Sequence, residues 1–421
     1  MPLASKRFAL LVAAVFAAVA CGAQQSSTDT SKSDPGITKD TIKLGATYPI
    51  SGSASAYYSD AKGANAYFQY INKEKGGVNG RKIDYIVLDD AYSPANTPGK
   101  ARELVQEQQV FLTYGSLGTA PNSAVRDYYN QQQVPQLFVF TGASKWGSEY
   151  DKYPWTLGWQ PDYVTEGKIY ARYILKNEPN DKIAILYQND DYGTDYVSGM
   201  KQGLGDKASS MIVANATYNA GDPVDLASQV NKLKATGADT FYVAATPAYA
   251  ANAVVNAVKT GWKPKIYMNN VSSAASAWQK VVQQLGSSSG VDGMITTTYL
   301  KDPTDTAKWG NDAGAKLFKD VMTKYGNGCD PTGADGFCVS GMASAYTMVD
   351  VLKKAGSNLT RRHVMDIAAT QLNETDNPLV LPGTVVKTTK TDHFPIQQEQ
   401  LQKWDKDHWT VFGDVIDARQ K

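Results

Sequence analysis

The sequence predicts an α/β protein with two lobes, each a doubly wound parallel sheet covered by helices on both faces. Its 421 residues are too many for one ordinary domain and suit two. Strand-like and helix-like segments alternate steadily from residue 42 to residue 260, and such repeated strand-then-helix units form parallel sheets. The formal net charge of +1 leaves no basic excess to neutralise phosphates, which argues against nucleic-acid binding.

The first 20 residues have the features of a secretory signal peptide. Lys6 and Arg7 precede an apolar run over residues 8–20, which is shorter than the roughly 20 residues that a membrane-spanning helix needs. Small residues before Cys21 resemble a bacterial lipobox, although Ala18 stands where Leu is usual. We therefore expect a lipidated Cys21 that anchors the protein to the outer face of the cytoplasmic membrane; the alternative is cleavage after residue 20 and release.

Residues 21–39 are expected to form a flexible tether, because they are rich in Gln, Ser, Thr and Asp and lack apolar periodicity. With Cys21 lipidated, Cys329 and Cys338 remain, and export makes a disulfide between them plausible; the alternative is two free thiols. The three histidines are scattered and no C-x-x-C motif occurs. We therefore expect no metal site and no cofactor.

The predicted elements follow one another along the first half of the chain. Strands are expected at 42–48, 82–88, 111–114 and 136–140, with helices at 60–74, 94–109 and 122–132. Between the first helix and the second strand, Asn79-Gly80 is a strong turn signal.

The second half continues the alternation and then changes character. Strands are expected at 182–187, 211–216 and 240–244, with helices at 164–175, 192–203, 224–235 and 248–260. At the end of the chain, short β-like runs at 394–401 and 409–415 flank a polar segment, 402–407, which predicts a hairpin with that segment as its loop.

The loops after the predicted strands are where a ligand should bind, because ligands of doubly wound sheets lie at the carboxyl ends of the strands. Ser116, Gly118 and Thr119 follow the third strand and lead into a helix, whose first N–H groups and dipole attract anions. Ala143 and Ser144 occupy the matching loop after the next strand. Two such loops suit a carboxylate, whereas the alternative is an ordinary tight turn; the nucleotide-binding P-loop motif is absent.

Three further residues are candidates for the same site. Tyr57 follows the first strand and could form a wall of the cleft, or lie on the surface. Asp190 and Tyr192 follow strand 182–187. Asp190 could contact the ligand or only cap the next helix, and Tyr192 could face the cleft.

Four segments are more specific than the alternation of strands and helices: INKEKGGVNGRKI at 71–83, VLDD at 87–90, NDDYG at 189–193 and GDPVDL at 221–226. Taken together, these segments resemble the branched-chain amino-acid-binding, or leucine-binding-like, family of type I periplasmic solute-binding proteins of ABC transporters. The resemblance runs from about residue 42 to the final hairpin.

The resemblance implies two lobes joined by three hinge crossings, which close over a small ligand. The first lobe would comprise residues 40–158 and 273–393, and the second 159–272 and the terminal hairpin, 394–421. It also implies a monomer that delivers its ligand to a permease and the ATPase subunits. The ligand carboxylate would contact Ser116, Gly118, Thr119, Ala143 and Ser144, with Tyr192 facing it from the second lobe.

One departure from the family bears on the ligand. Amino-acid-binding members carry a Glu after the strand at 240–244 that pairs with the ligand ammonium, and the matching residue here is Tyr249. A buried ammonium without a carboxylate partner is costly. The segment PWTLGWQP at 154–161 resembles members that import aromatic carboxylates. We therefore expect an aromatic or other hydrophobic carboxylic acid; the alternative is an amino acid held by another acid, such as Asp190 or Asp191.

An enzyme and a sensor are the two other classes of function for a chain of this kind. No nucleophile elbow, paired-acid motif or nucleotide fingerprint occurs, so an enzyme is not expected. A sensor that presents its closed state to a membrane receptor would use the same fold, and remains an alternative to transport.

Overall fold

The computed structural model describes residues 34–417. The predicted signal segment, Cys21 and most of the predicted tether lie outside the described residues. None of the helices in the described part is both long and apolar enough to cross a membrane.

The first sheet contains five strands, all parallel, in the order β2-β1-β3-β4-β5. They are β1 (Thr41–Tyr48), β2 (Lys82–Asp89), β3 (Leu112–Tyr114), β4 (Gln136–Val139) and β5 (Thr156–Gly158). The carboxyl ends of β1, β3 and β4 therefore lie side by side at one edge of the sheet.

The second sheet contains seven strands in the order β14-β13-β10-β9-β8-β6-β7. They are β6 (Ile183–Gln188), β7 (Ile212–Tyr218), β8 (Thr240–Ala244), β9 (Lys265–Met268), β10 (Ile295–Thr298), β13 (Gln398–Asp405) and β14 (His408–Asp417). Strands β6 to β10 are parallel, and the hairpin β13–β14 adds to β10 in antiparallel fashion. A two-stranded ribbon of β11 (Asn373–Glu374) and β12 (Val386–Lys387) lies apart from both sheets.

Helices connect the strands. They are α1 (Tyr58–Glu74), α2 (Thr97–Arg102), α3 (Thr119–Gln131), α4 (Lys145–Ser148), α5 (Tyr163–Asn177), α6 (Asp191–Leu204), α7 (Ala208–Met211), α8 (Ala227–Lys234), α9 (Pro247–Lys259), α10 (Ala275–Leu285), α11 (Thr306–Trp309), α12 (Ala313–Tyr325), α13 (Gly336–Ala355) and α14 (Arg361–Thr370).

The second sheet is buried on both faces, which explains the unbroken apolar runs in its strands. In β6, Ile183 and Ile185 belong to one apolar cluster, and Ala184 and Leu186 belong to another. Successive side chains point to opposite faces of a strand, so each face of the sheet has its own layer of helices. The prediction of an α/β fold with helix-covered parallel sheets is confirmed.

Within residues 34–417, the chain passes between the two sheets three times. It leaves the first sheet after β5, returns after β10 to the helices α12 to α14, and leaves again before β13. Trp159 and Tyr299, at the first two passages, contact each other with ring centroids 5.8 Å apart. Strand β10 lies within the range 273–393 that was predicted for the first lobe, yet it pairs in the second sheet. If the lobes follow the sheets, the chain returns to the first lobe after residue 298.

Two local predictions differ from the structure. The helix predicted over 94–109 begins only at Thr97, with Pro98 in its first turn, and it widens into a π-helical turn over Glu103–Glu107. The polar segment predicted as the hairpin loop is mostly strand, and the chain turns only at Lys406 and Asp407. Trp404 lies opposite Trp409 in the two strands, and their ring centroids are 5.1 Å apart. By contrast, Asn79 and Gly80 form the expected turn, with φ of 49° and 81°.

A disulfide joins Cys329, beyond α12, to Cys338 in the first turn of α13, with Cα atoms 6.0 Å apart. Both half-cystines are buried in the core of the first sheet. The bridge ties the loop before α13 to the first turn of that helix. This turn packs tightly on α1, because a Cβ at Gly63 would lie 2.2 Å from the carbonyl oxygen of Cys338.

Candidate functional site

A cleft lies between the two sheets, at the carboxyl ends of the strands, and encloses about 950 Å³ including its mouth. Loops after β1, β3 and β4 and the start of α13 form one side of it, and loops after β6, β8, β9 and β10 form the other. The position is the one that the strand-end rule predicted.

Aromatic rings dominate the lining of the cleft. They are Tyr57, Tyr92, Phe140, Tyr163, Tyr192, Tyr299, Phe337 and Trp409. Several are held edge to face against one another: Tyr57 lies 5.0 Å from Phe337, and Tyr163 lies 5.1 Å from Tyr192. Rings that are already packed lose little freedom when they contact a flat apolar ligand.

Gly118 and Thr119 bring the start of α3 to the cleft. Gly118 has φ of 99°, and its N–H donates to the carbonyl of Phe140 at 3.0 Å. The hydroxyl of Thr119 lies 2.6 Å from that of Thr141 in the neighbouring loop. Among the described residues, no side chain caps the first turn of α3, so this helix presents unsatisfied N–H groups and its positive dipole end beside the cleft.

Ser116, Ala143 and Ser144 do not line the cleft in this structure. The Ser116 hydroxyl accepts a hydrogen bond from the N–H of Thr47 at 3.1 Å, and its carbonyl accepts one from Phe140. The N–H of Ala143 donates to the Thr141 hydroxyl, and that of Ser144 donates to Asp195 at 2.7 Å. These residues shape the two loops, because their polar groups are already paired with neighbouring chain segments.

Tyr192 lines the cleft on the side opposite Gly118 and Thr119. It occupies the first turn of α6 and is 2 % exposed, and the amide of Asn269 donates to its hydroxyl at 2.9 Å. Asp190 takes the capping alternative: it accepts hydrogen bonds from the N–H groups of Tyr192 and Gly193 at the start of α6. Its other carboxylate oxygen accepts from Gln188, and the residue does not line the cleft.

The predicted placement of Tyr249 against the ligand is not what the structure gives. Its ring stacks on Tyr218 with centroids 4.1 Å apart, and its hydroxyl donates to the carbonyl of Asp222. Pro247 begins α9, and the helix turns Tyr249 away from the cleft. Thr246, immediately before α9, lines the cleft instead.

Of residues 34–417, three charged ones line the cleft: Asp60, Lys301 and Asp302. Lys301 forms an ion pair with Asp312 at 2.9 Å, and Asp302 accepts two hydrogen bonds from Thr304 within its own turn. Burial raises the pKa of both Asp60 and Asp302. In residues 34–417, no group of three His, Cys, Asp or Glu side chains could hold a metal ion.

Sequence reasoning missed several lining residues for two different reasons. Phe140 ends a predicted strand and Tyr163 immediately precedes a predicted helix, so strand-end logic could have found both. Tyr299 and Trp409 come from the second passage and the terminal hairpin, and no local pattern brings these distant segments to the cleft.

Comparison with known proteins gives one family and several similar structures. Residues 41–408 match the family described as periplasmic binding protein. The leucine-, isoleucine-, valine-, threonine- and alanine-binding protein of Pseudomonas aeruginosa is 27 % identical over 206 residues, which are 48 % of this chain and 53 % of that protein. The chain thus spans about half the length of this curated relative.

Two solved structures share the fold across almost their whole length. A fatty acid ABC transporter substrate-binding protein from Thermomonospora curvata superposes with a TM-score of 0.76, at 20 % identity over 93 % of this chain and 96 % of that one. A solute-binding protein of an ABC transporter from Rhodopseudomonas palustris, in complex with 3,4-dihydroxybenzoic acid, superposes with a TM-score of 0.71. The two sequences are 19 % identical, and the match covers 90 % of this chain and 98 % of that one. At these identities the likeness concerns the fold alone.

Proposed function

The chain belongs to the periplasmic binding protein family, and from this we propose that it is the extracytoplasmic solute-binding component of an ABC importer. Family membership confirms the expectation that the chain is not an enzyme. The ligand that we propose is a small carboxylate with an aromatic or other hydrophobic body. The observation that carries this proposal is a cleft lined by eight aromatic rings, with the uncapped start of α3 at its edge.

The start of α3 supports a carboxylate at one end of the ligand. The N–H of Ala143 donates to the hydroxyl oxygen of Thr141. This favours a hydrogen bond from the Thr141 hydroxyl to the Thr119 hydroxyl oxygen. The Thr119 hydroxyl proton is then available to the ligand carboxylate. The helix dipole stabilises a negative charge at this place. Among the described residues, Lys301 is the only lysine that lines the cleft, and it is paired with Asp312. We therefore assign the carboxylate to hydroxyl and N–H donors.

A second candidate ligand is an amino acid, and two observations favour it. The Pseudomonas aeruginosa relative is named for binding amino acids, and Asp60 and Asp302 offer carboxylates within the cleft that could pair with an ammonium group. An aromatic carboxylate and a branched-chain amino acid therefore have to be compared directly.

We expect benzoate or a related aromatic acid to raise the unfolding midpoint of residues 34–421, and leucine or valine to leave that midpoint unchanged. A ligand that binds the folded state stabilises it by mass action. Changing Thr119 to Val should weaken binding about tenfold by removing one hydrogen bond to a charged group. Titration calorimetry measures this loss. A shift with leucine and none with aromatic acids would instead assign the cleft to amino acids.

The mechanism proposed for transport is closure of the two lobes. Tyr57, Gly118 and Thr119 come from the first lobe, and Tyr192 comes from the second. A ligand that contacts both lobes stabilises the closed form over the open one. The closed form would then dock on the permease, whose ATPase subunits are separate chains; signalling to a receptor would use the same closed form.

We propose that lipidated Cys21 holds the protein at the membrane. In bacterial cells that process lipoproteins, the full chain is expected in the membrane fraction, and the Cys21→Ser variant in the soluble fraction. Mass spectrometry of the mature N-terminus provides the measurement. An unmodified Cys21 in the wild-type protein would contradict the anchor without affecting the proposed ligand.

A further inference from the structure

Asp60 is a buried acid in the wall of the cleft that the proposed carboxylate contacts do not use. It lies in the first turn of α1, is 2 % exposed and lines the cleft. The hydroxyl of Ser340 on α13 donates to one of its carboxylate oxygens. Within residues 34–417, no lysine, arginine or histidine forms an ion pair with it.

Close packing of two helices fixes this acid in place. Gly341 lies so near α1 that a Cβ there would be 1.9 Å from the carbonyl oxygen of Asp60, and Gly63 makes the reciprocal approach to α13. The Ser340 hydroxyl also lies 3.0 Å from the carbonyl of Phe337. The carboxylate therefore has little freedom to turn away from the cleft.

The same two helices place aromatic rings beside the acid. Tyr57 and Phe337 each lie three residues before Asp60 and Ser340, respectively, so each ring faces the same side as the polar group that follows it. The rings meet edge to face at 5.0 Å. An aromatic ligand that contacts these rings would bring a ring substituent towards Asp60.

A carboxylate with a single hydrogen bond in a buried wall is costly, because water no longer solvates it. Burial raises the pKa of Asp60, the hydrogen bond from Ser340 lowers it, and the charge of Asp335 raises it further. A donor on the ligand would supply the missing partner. A hydroxyl group would do so without bringing a second charge out of water, whereas an ammonium group would have to be desolvated.

We propose that Asp60, held by Ser340, accepts a hydrogen bond from a hydroxyl group on the ligand, and that it makes the cleft selective for hydroxylated aromatic carboxylates. This inference rests on the proposed function, because it assumes that an aromatic carboxylate occupies the cleft. It adds a second polar contact, separate from the carboxylate contacts at α3.

Titration calorimetry with benzoate, 3-hydroxybenzoate, 4-hydroxybenzoate and 4-(aminomethyl)benzoate tests the proposal. We expect one hydroxybenzoate to bind the wild-type protein roughly tenfold more tightly than benzoate. In Asp60→Ala this preference should disappear, while benzoate binding persists. Ser340 keeps the Phe337 carbonyl as a partner in that variant, and alanine suits a helix.

A matched control is Asp162→Ala, which removes another buried carboxylate, the N-cap of α5, that is not among the residues lining the cleft. It should retain the preference for the hydroxylated ligand. Equal binding of benzoate and both hydroxybenzoates, or a preference that survives in Asp60→Ala, would overturn the role of Asp60 and leave the proposed function standing. An Asp60-dependent preference for the aminomethyl compound alone would also overturn it, in favour of an ammonium partner. Binding of none of the four would overturn both proposals.

Discussion

Changing Gly118 to Ala is expected to weaken ligand binding by at least tenfold. Gly118 has φ of 99°, a conformation that L side chains rarely adopt, and a Cβ there would lie 2.6 Å from the Tyr92 ring. Both residues line the cleft. A Cβ at this position would introduce strain of about 1–3 kcal/mol. The turn or the Tyr92 ring would have to move to relieve that strain, and either movement displaces the start of α3 from the ligand carboxylate. Titration calorimetry with the ligand found in the panel measures the loss.

The matched control is Gly99→Ala in α2, where a Cβ would meet nothing within 4 Å. Alanine is the better helix former by about 1 kcal/mol, so this variant should bind normally and unfold at the same or a higher temperature. Normal affinity in Gly118→Ala would contradict the assignment of this turn to the carboxylate end of the ligand.

The order of the elements could be read from the sequence because each one carries its own local signal. The apolar run of β8 was predicted with the same ends that the structure has, and the Asn79-Gly80 turn follows from the tolerance of those two residues for positive φ. The hairpin loop was misplaced because Gln402 and Lys403 are polar, yet they lie in a strand whose register is set by Trp404 opposite Trp409.

The site was less predictable, because it depends on which way a side chain turns after the strand ends. Strand-end logic found Gly118, Thr119, Tyr57 and Tyr192, which line the cleft. It could not decide whether Thr246 or Tyr249, three residues later, lines the cleft. The answer depends on how the first turn of α9 directs Tyr249 onto the ring of Tyr218. Asp60 was missed for a related reason: its place in the wall follows from the packing of α1 against α13, which lie about 280 residues apart in sequence.

The protein is expected to lose stability as pH rises from about 5 to 8, and Glu374 should account for part of that loss. Burial raises the pKa of Glu374 to about 7. The Thr347 hydroxyl donates to one of its carboxylate oxygens at 2.8 Å, and the other oxygen has no partner among the described residues. Between the pKa of the unfolded chain and about 7, the folded protein holds a proton that the unfolded chain has released. Unfolding then releases a proton, so stability is highest below the unfolded pKa and falls as pH rises through about 7.

Changing Glu374 to Gln mimics the protonated form and should remove this share of the pH dependence. Relative to the wild-type protein, we expect little change in the free energy of unfolding at pH 5 and a gain of up to about 3 kcal/mol at pH 8, measured by urea denaturation. Burial raises the pKa of Glu166 and Glu399 as well, so a residual slope of the same sign should remain. The exposed Glu107→Gln is the control, and should leave the slope unchanged; an unchanged slope in Glu374→Gln would contradict the prediction. Thr347 also accepts a hydrogen bond from the indole of Trp159 at 3.0 Å, so Thr347 links Glu374 to the first passage between the two sheets.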